Sequence, residues 1–202
     1  MGIWLPRGKH MCTHVQRSGS LLSMKVLAVL WAALVVASGS TLDLAGNTRD
    51  PFATPARVRV FLFIRSDCPV SNRYAPELRH IAEVFSGHDV ELWLVYADPS
   101  ETVEHIRRHL VEFGFPGEPL RDPDHALVKR AQATFAPEAA VFDAGGNLVY
   151  HGRIDDLWAD VGKARPFARI HDLEDAISAV LEGRAVAIGA TRAVGCSLAD
   201  VK

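Results

Sequence analysis

Apolar and polar positions along the chain change period several times, and each change marks an element. Residues 57–64, "RVRVFLFI", begin by alternating and end wholly apolar, as a strand buried in the middle of a sheet does. From Pro69 to about Phe85, the apolar positions Val70, Tyr74, Leu78, Ile81 and Phe85 recur at helical spacing. "VELWLVYA" (90–97) predicts a second buried strand. Residues 99–114 predict a helix, acidic early and basic later as the helix dipole favours, with Gly114 as its stop. "EPLRDPDHALVKRAQATF" predicts a short strand and then a helix, with Asp122 as N-cap and Pro123 in the first helical position. Residues 138–154 predict a hairpin turning at Gly145, Gly146 and Asn147, and 171–183 a last helix ended by Gly183. The order β-α-β-α-β-α-β-β-α implies an α/β fold of three layers, a central mixed sheet with helices on both faces.

The first part of the chain reads differently. Residues 24–40, "MKVLAVLWAALVVASGS", place Lys25 before an unbroken apolar run from Val26 to Ala37 and then a cluster of small residues. A membrane span needs about 20 apolar residues, and this run is shorter. Its pattern is that of a secretory signal peptide. Met24-Lys25 reads as a more natural start than Met1. The expected division is an N-terminal extension and signal peptide (1–40), a linker (41–56), one folded domain (57–198) and a short tail (199–202). The expected place is outside the cytoplasm, periplasmic or extracellular, with no stable membrane insertion after cleavage. Composition adds exclusions. The chain is 49% hydrophobic and 23% charged with a net charge of -2, which gives no electrostatic footprint for nucleic acid.

The strongest chemical candidate is Cys68 in "RSDCPVSNRYAPEL". A thiolate at the start of a helix faces unpaired backbone N–H groups and the positive end of the dipole, which favour it. Ser71, one turn on, is placed to donate to the sulfur. Asp67 opposes the thiolate, and Arg65 and Arg73 offset Asp67. The plain alternative is a small buried apolar residue, although a site between Asp and Pro at a strand-to-helix junction suits a core poorly. His105 and His109, four apart on one helix, lack a third metal ligand and read as solvated surface. Asp122 and Asp124 read as helix capping, and His125 as surface. In "GRIDDLW", Arg153 either stabilises a thiolate or anionic substrate, or forms a salt bridge with a nearby aspartate. Asp155, Asp156 and Trp158 belong to the same loop. The chain holds no phosphate-cradling glycine loop and no nucleophile elbow.

A strand followed by Cys-Pro-x-x at a helix start, with Pro76 further along that helix, resembles the thioredoxin superfamily. "FAPEAAVFDAGGNLVYHG" resembles the stretch of that superfamily in which a cis-proline precedes a hairpin strand, which would make Pro137 the cis-proline. "DCPVSN", "GRIDD" and "TRAVGCSL" are together similar to the peroxiredoxin-like, redoxin (AhpC/TSA-type) branch of exported antioxidant proteins. The resemblance covers residues 57–198. It implies a thioredoxin-like fold and thiol-disulfide oxidoreductase activity at Cys68, with protein thiols or disulfides, or a small oxidant, as partners. No cofactor and no metal are implied.

Three departures qualify it. Ser71 stands where a Cys-x-x-Cys pair has its second cysteine, so Cys68 cannot cycle with a local partner. Asp67 replaces the usual aromatic residue. Phe61 and Arg65 occupy the positions of the proline and hydroxyl residue with which family peroxidases bind peroxide. Cys12 would leave with the signal segment, so Cys196 is the remaining thiol of the mature chain. It could resolve a mixed disulfide, form a structural bridge with Cys68, stay unpaired, or pair between chains. The readings left open are an oxidoreductase, a thiol peroxidase with Cys196 resolving, a non-catalytic binding module with a structural Cys68–Cys196 bridge, and a copper(I) carrier. The last requires a histidine near Cys68.

Overall fold

The structure is a computed structural model and describes residues 1–3 and 40–198. The chain divides into two units, Met1–Ala37 and Ser38–Lys202, and every described helix and strand belongs to the second. The signal peptide expected over 24–40 lies, Ser40 apart, outside the described residues, as does Cys12. Among the described residues, no helix is long and apolar enough to cross a membrane.

The central strand is β1, Val58–Ile64, buried along its whole length. It is flanked on one side by β2 (Val90–Tyr96) and then β3 (Glu118–Arg121), all parallel. On its other side run β5 (Glu138–Asp143) and β6 (Leu148–Gly152), each antiparallel to its inner neighbour. Pleating divides β1 between two cores. Val58, Val60, Leu62 and Ile64 face α2 (Ala75–Val84), α3 (Val103–Phe113) and α5 (Asp172–Leu181), meeting Leu78, Ile81, Ile106, Leu173 and Ile177. Phe61 and Phe63 face the other way, towards Leu127, Val128 and Ala131 of α4 (Ala126–Ala131). The mixed sheet with helices on both faces is thus present. Two short ladders lie outside it: β4 (Phe135–Ala136) with β9 (Cys196–Ser197), and the hairpin of β7 (Trp158–Asp160) and β8 (Lys163–Ala164).

Several boundaries differ from the pattern. The helix expected from Pro69 to Phe85 is two helices, α1 (Pro69–Arg73) and α2, which meet at Tyr74. Pro76 has no N–H to give the Asn72 carbonyl, so the Tyr74 N–H closes a tighter turn on the Ser71 carbonyl at 3.0 Å. The helix expected from 99 begins at Val103, because the Thr102 hydroxyl caps it by accepting from the His105 N–H at 3.2 Å. Asp122 is not the N-cap. It is fully buried and reaches forward, accepting from the N–H groups of Ala126 (2.8 Å) and Val128 (2.9 Å), so α4 starts at Ala126. His125, expected on the surface, is half-buried, with Nε2 3.0 Å from the Ala97 carbonyl oxygen.

The expected linker needs the largest correction. Residues 41–56 run along the sheet. Leu42 exchanges backbone hydrogen bonds with Arg121 at 2.9 and 2.8 Å, beside β3. Phe52 packs tilted against Phe61 and edge-on against Phe142, with ring centroids 5.4 and 5.3 Å away, and the Arg130 guanidinium lies over its ring. The glycine, asparagine and prolines there make turns within a packed segment. Phe52→Ala should therefore lower stability by about 2 kcal/mol in urea unfolding, as loss of a partly buried aromatic does. A true linker residue would leave the midpoint unmoved.

Candidate active site

The site lies at the end of β1. The chain leaves the sheet at Arg65, and the Cys68 N–H returns to the Arg65 carbonyl at 3.2 Å. The Cys68 carbonyl accepts the Asn72 N–H at 3.1 Å and so starts α1. The side chain is fully buried, and its thiol donates to the Ala136 carbonyl at 3.2 Å. Ala136 ends β4, and the Ala136–Pro137 peptide bond that follows is cis.

The antiparallel register of β4 with β9 pairs Phe135 with Ser197 and Ala136 with Cys196. Cys196 therefore comes to the same carbonyl that holds Cys68, and the two thiols meet. Both are free. Burial and hydrogen bonding with Cys68 push the Cys196 thiol up to about 12. Two backbone anchors hold the tail in this register. The Leu198 N–H donates to the Thr134 carbonyl at 2.9 Å, and Arg65 Nη1 donates to the Ser197 carbonyl at 2.8 Å, joining residues 132 positions apart.

Arg65 does a second thing. Its Nε and Nη2 form a fork on Asp67 at 3.0 and 2.8 Å and hold that carboxyl below the usual carboxylate range. The charge that opposes a thiolate is thus neutralised two residues away. Ser71 is fully buried, but its hydroxyl accepts the Arg65 N–H at 3.4 Å, and no hydrogen bond from it to the sulfur occurs among the described residues. Glu138 fixes the opposite wall. It is buried beside Pro137, and its Oε2 accepts from the N–H groups of Thr134 (2.8 Å) and Phe135 (2.9 Å).

Beneath the loop runs a chain of hydrogen bonds that starts at His109. This residue, expected to be solvated, is only 3% exposed. Its Nδ1 is 2.8 Å from the Tyr96 hydroxyl and its Nε2 is 2.8 Å from Asn72 Oδ1. Asn72 Nδ2 donates onward to the Ser66 carbonyl at 3.1 Å. Burial holds the imidazole at about 4, so it is neutral. One assignment then satisfies every atom: Tyr96 O–H to Nδ1, Nε2–H to Asn72, Asn72 to Ser66. The sequence carried a signal for this, because Ile106, His109 and Phe113 share one helical face with apolar neighbours. Glu101 is also buried, and desolvation raises its carboxyl.

The "GRIDD" loop reaches the cysteine helix indirectly. The Tyr74 hydroxyl donates to Asp155 Oδ1 at 2.5 Å, and the Arg73 guanidinium lies 5.9 Å from the centre of a Trp158 ring. Asp156 accepts from the N–H groups of Arg169 and Ile170 at 2.6 and 3.1 Å, closing the loop on itself. Arg153 is bound by Asp172 through Nε at 2.7 Å and Nη2 at 3.3 Å, the salt-bridge arrangement. Among the described residues, the one His/Cys/Asp/Glu group within reach of a shared metal is Glu77, His171 and Glu174, which contains neither cysteine. Among the described residues, no histidine joins Cys68 and Cys196 in a group of the kind a copper(I) carrier requires.

No protein-family model matches the chain, and no curated protein matches it. Solved structures do. A hypothetical protein from Sinorhizobium meliloti is 25% identical with a TM-score of 0.67, covering 79% of this chain and 88% of its own. A thioredoxin-like protein from Aeropyrum pernix is 16% identical with a TM-score of 0.52, covering 80% and 94%. The thioredoxin domain of a thiol-disulfide oxidoreductase from Bacteroides vulgatus is 15% identical, also at 0.52, covering 70% and 91%. The chain has the thioredoxin fold.

The neutral His109 sets a pH dependence. Its folded value, about 4, lies below the 6.5 of a free imidazole. The unfolded chain therefore takes up a proton between pH 6.5 and 4 that the folded chain refuses, and this group's contribution to stability falls as pH drops through that window. The loss amounts to at most about 3 kcal/mol. Glu77, Glu101 and Asp122, whose carboxyls burial raises, act in the opposite sense. Urea unfolding at pH 7, 5.5 and 4 should therefore show His109→Phe less stable than the native chain at pH 7, with the gap narrowing towards pH 4. A constant gap would mean that the imidazole titrates alike in both states.

Proposed function

We propose that the protein is an exported thiol-disulfide oxidoreductase whose redox pair is Cys68 and Cys196. The contact of two free thiols across the β4–β9 ladder carries this reading. The motif is Cys-x-x-Ser, so a second sulfur has to come from elsewhere, and the tail supplies it. Likeness to thioredoxin-like structures supports the chemistry through the fold alone. Export rests on the apolar run of residues 26–37 after Lys25.

Cys68 is the attacking sulfur. Cys196, pushed up to about 12, keeps its proton near neutral pH. With the tail displaced, the Cys68 thiol loses its proton to solvent and attacks a partner disulfide. The partner's S–S bond breaks, a Cys68–partner disulfide forms, and the departing sulfur takes up a proton. Cys196 then attacks the Cys68 sulfur, passing its proton to the second partner sulfur. A Cys68–Cys196 disulfide forms and a partner dithiol leaves. Two electrons move from this chain to its partner, and the same steps reversed would oxidise a partner dithiol. Pro137 follows, through its cis bond, the Ala136 carbonyl that the Cys68 thiol bonds. Ser71 and Arg65 position the cysteine loop, and Arg153 positions the "GRIDD" loop through Asp172.

Under a disulfide oxidant, the native chain should lose two hydrogens and show a Cys68–Cys196 peptide by mass spectrometry. Cys196→Ser should instead accumulate mixed disulfides at Cys68, and Cys68→Ser should do neither. Peroxide turnover that needs Cys68 while trapping no partner would replace this reading with a peroxidase. If Cys196→Ser traps nothing and loses up to about 5 kcal/mol of oxidised-state stability, the bridge is purely structural.

A further inference from the structure

We infer that the tail segment 195–198 is an internal stand-in for a substrate strand. The groove along β4 would then take, from partner proteins, an extended segment of the form small residue, cysteine, any residue, large apolar residue. This rests on the oxidoreductase reading and adds to it the kind of partner the site takes.

Three observations carry it. First, β4 is only two residues long and pairs with no strand of the central sheet; its ladder partner among the described strands is β9. The bonds that seat the tail there are made to its backbone: Leu198 N–H to Thr134, and Arg65 to the Ser197 carbonyl. Backbone bonds of this kind are available to any extended chain that adds itself to an open strand edge.

Second, the seat is selective at two positions. A side chain at Gly195 would put its Cβ onto the Ala136 carbonyl oxygen, so only the smallest residue fits before the cysteine. Leu198 is 2% exposed and sits in the same core cluster as Phe61, Phe63 and Ala136, so a large apolar residue fits two places after it. Between them, the register delivers the cysteine to Cys68.

Third, Cys68 is fully buried while the tail is seated. A partner sulfur reaches it only if the tail leaves the groove. Partner strand and tail therefore exclude one another. When the tail returns, it displaces the partner's strand and brings Cys196 to the mixed disulfide in one movement. Resolution and release are then a single event.

The test uses the full chain carrying Cys196→Ser. The probe is the peptide Ala-Val-Gly-Cys-Ser-Leu with its cysteine as a thiopyridyl disulfide. Cys68 attacks the peptide sulfur, a Cys68–peptide disulfide forms, and pyridine-2-thione leaves and is followed by absorbance. This peptide should react roughly tenfold or more faster than one with Val in place of Gly, or Asp in place of Leu, as a misfit of about 1.4 kcal/mol or more implies. Leu198→Ala, added to the chain to loosen the tail, should raise the rate several-fold. Gly195→Ala should do the same through its clash with Ala136, and serves if Leu198→Ala does not fold. Equal rates for all three peptides, or a rate unmoved by tail variants that fold, overturn the inference. A Cys68 inert to every peptide and to dithiodipyridine overturns the oxidoreductase reading itself.

Discussion

The site depends on one backbone pairing, the two-residue antiparallel ladder between β4 and β9. Its register sets Cys196 opposite Ala136, and the Ala136 carbonyl is the group to which Cys68 donates. A shift of one residue would turn Cys196 to the opposite side of its strand and away from the other sulfur. So short a ladder cannot hold its register alone. Arg65 on the Ser197 carbonyl, the Leu198 bond to Thr134, and the close approach at Gly195 hold it at three points.

The other half of the site is fixed from below. Helix α1 is a single short turn and would not hold its place by its own hydrogen bonds. Asn72 ties it to His109 and Ser66, and the Tyr74 hydroxyl ties its end to Asp155. A neutral imidazole gives the buried chain one direction, so each member has a single role as donor or acceptor. The cysteine loop is thereby set by α3 and β2 as much as by its own sequence.

Period and punctuation in the sequence were enough for the central elements. The run 57–64 is the buried middle strand, and glycines at 114 and 183 end their helices. The place of Cys68 was also legible, because Cys-Pro after an apolar strand marks a strand-to-helix junction, and Cys68 does stand at the start of α1. What was hidden is long-range. Nothing local in residues 41–56 says that Phe52 closes a ring cluster with Phe61 and Phe142. His109 looks like surface if one reads its charged neighbours, and like core if one reads Ile106 and Phe113 on the same face. Arg65 was expected near the charge of Asp67, but its bond to the tail depends on a partner far along the chain. The end of a helix also misleads where a buried aspartate caps from a distance, as Asp122 does.

The packing of Phe52 has a consequence for how the domain is made. Phe52 and Leu198 belong to the same apolar cluster, on the α4 side of the sheet. One comes from the start of the folded unit and the other from its end. During synthesis, the α2 side of the sheet can assemble once α5 has emerged. The α4 side lacks its last wall until Leu198 has left the ribosome. Contacts so distant in the chain close slowly, because the loop entropy is lost before the apolar contact is made. The α4 side of the sheet is therefore closed by contacts between the two ends of the folded unit. Loosening that closure at Leu198 would also free the tail that covers Cys68.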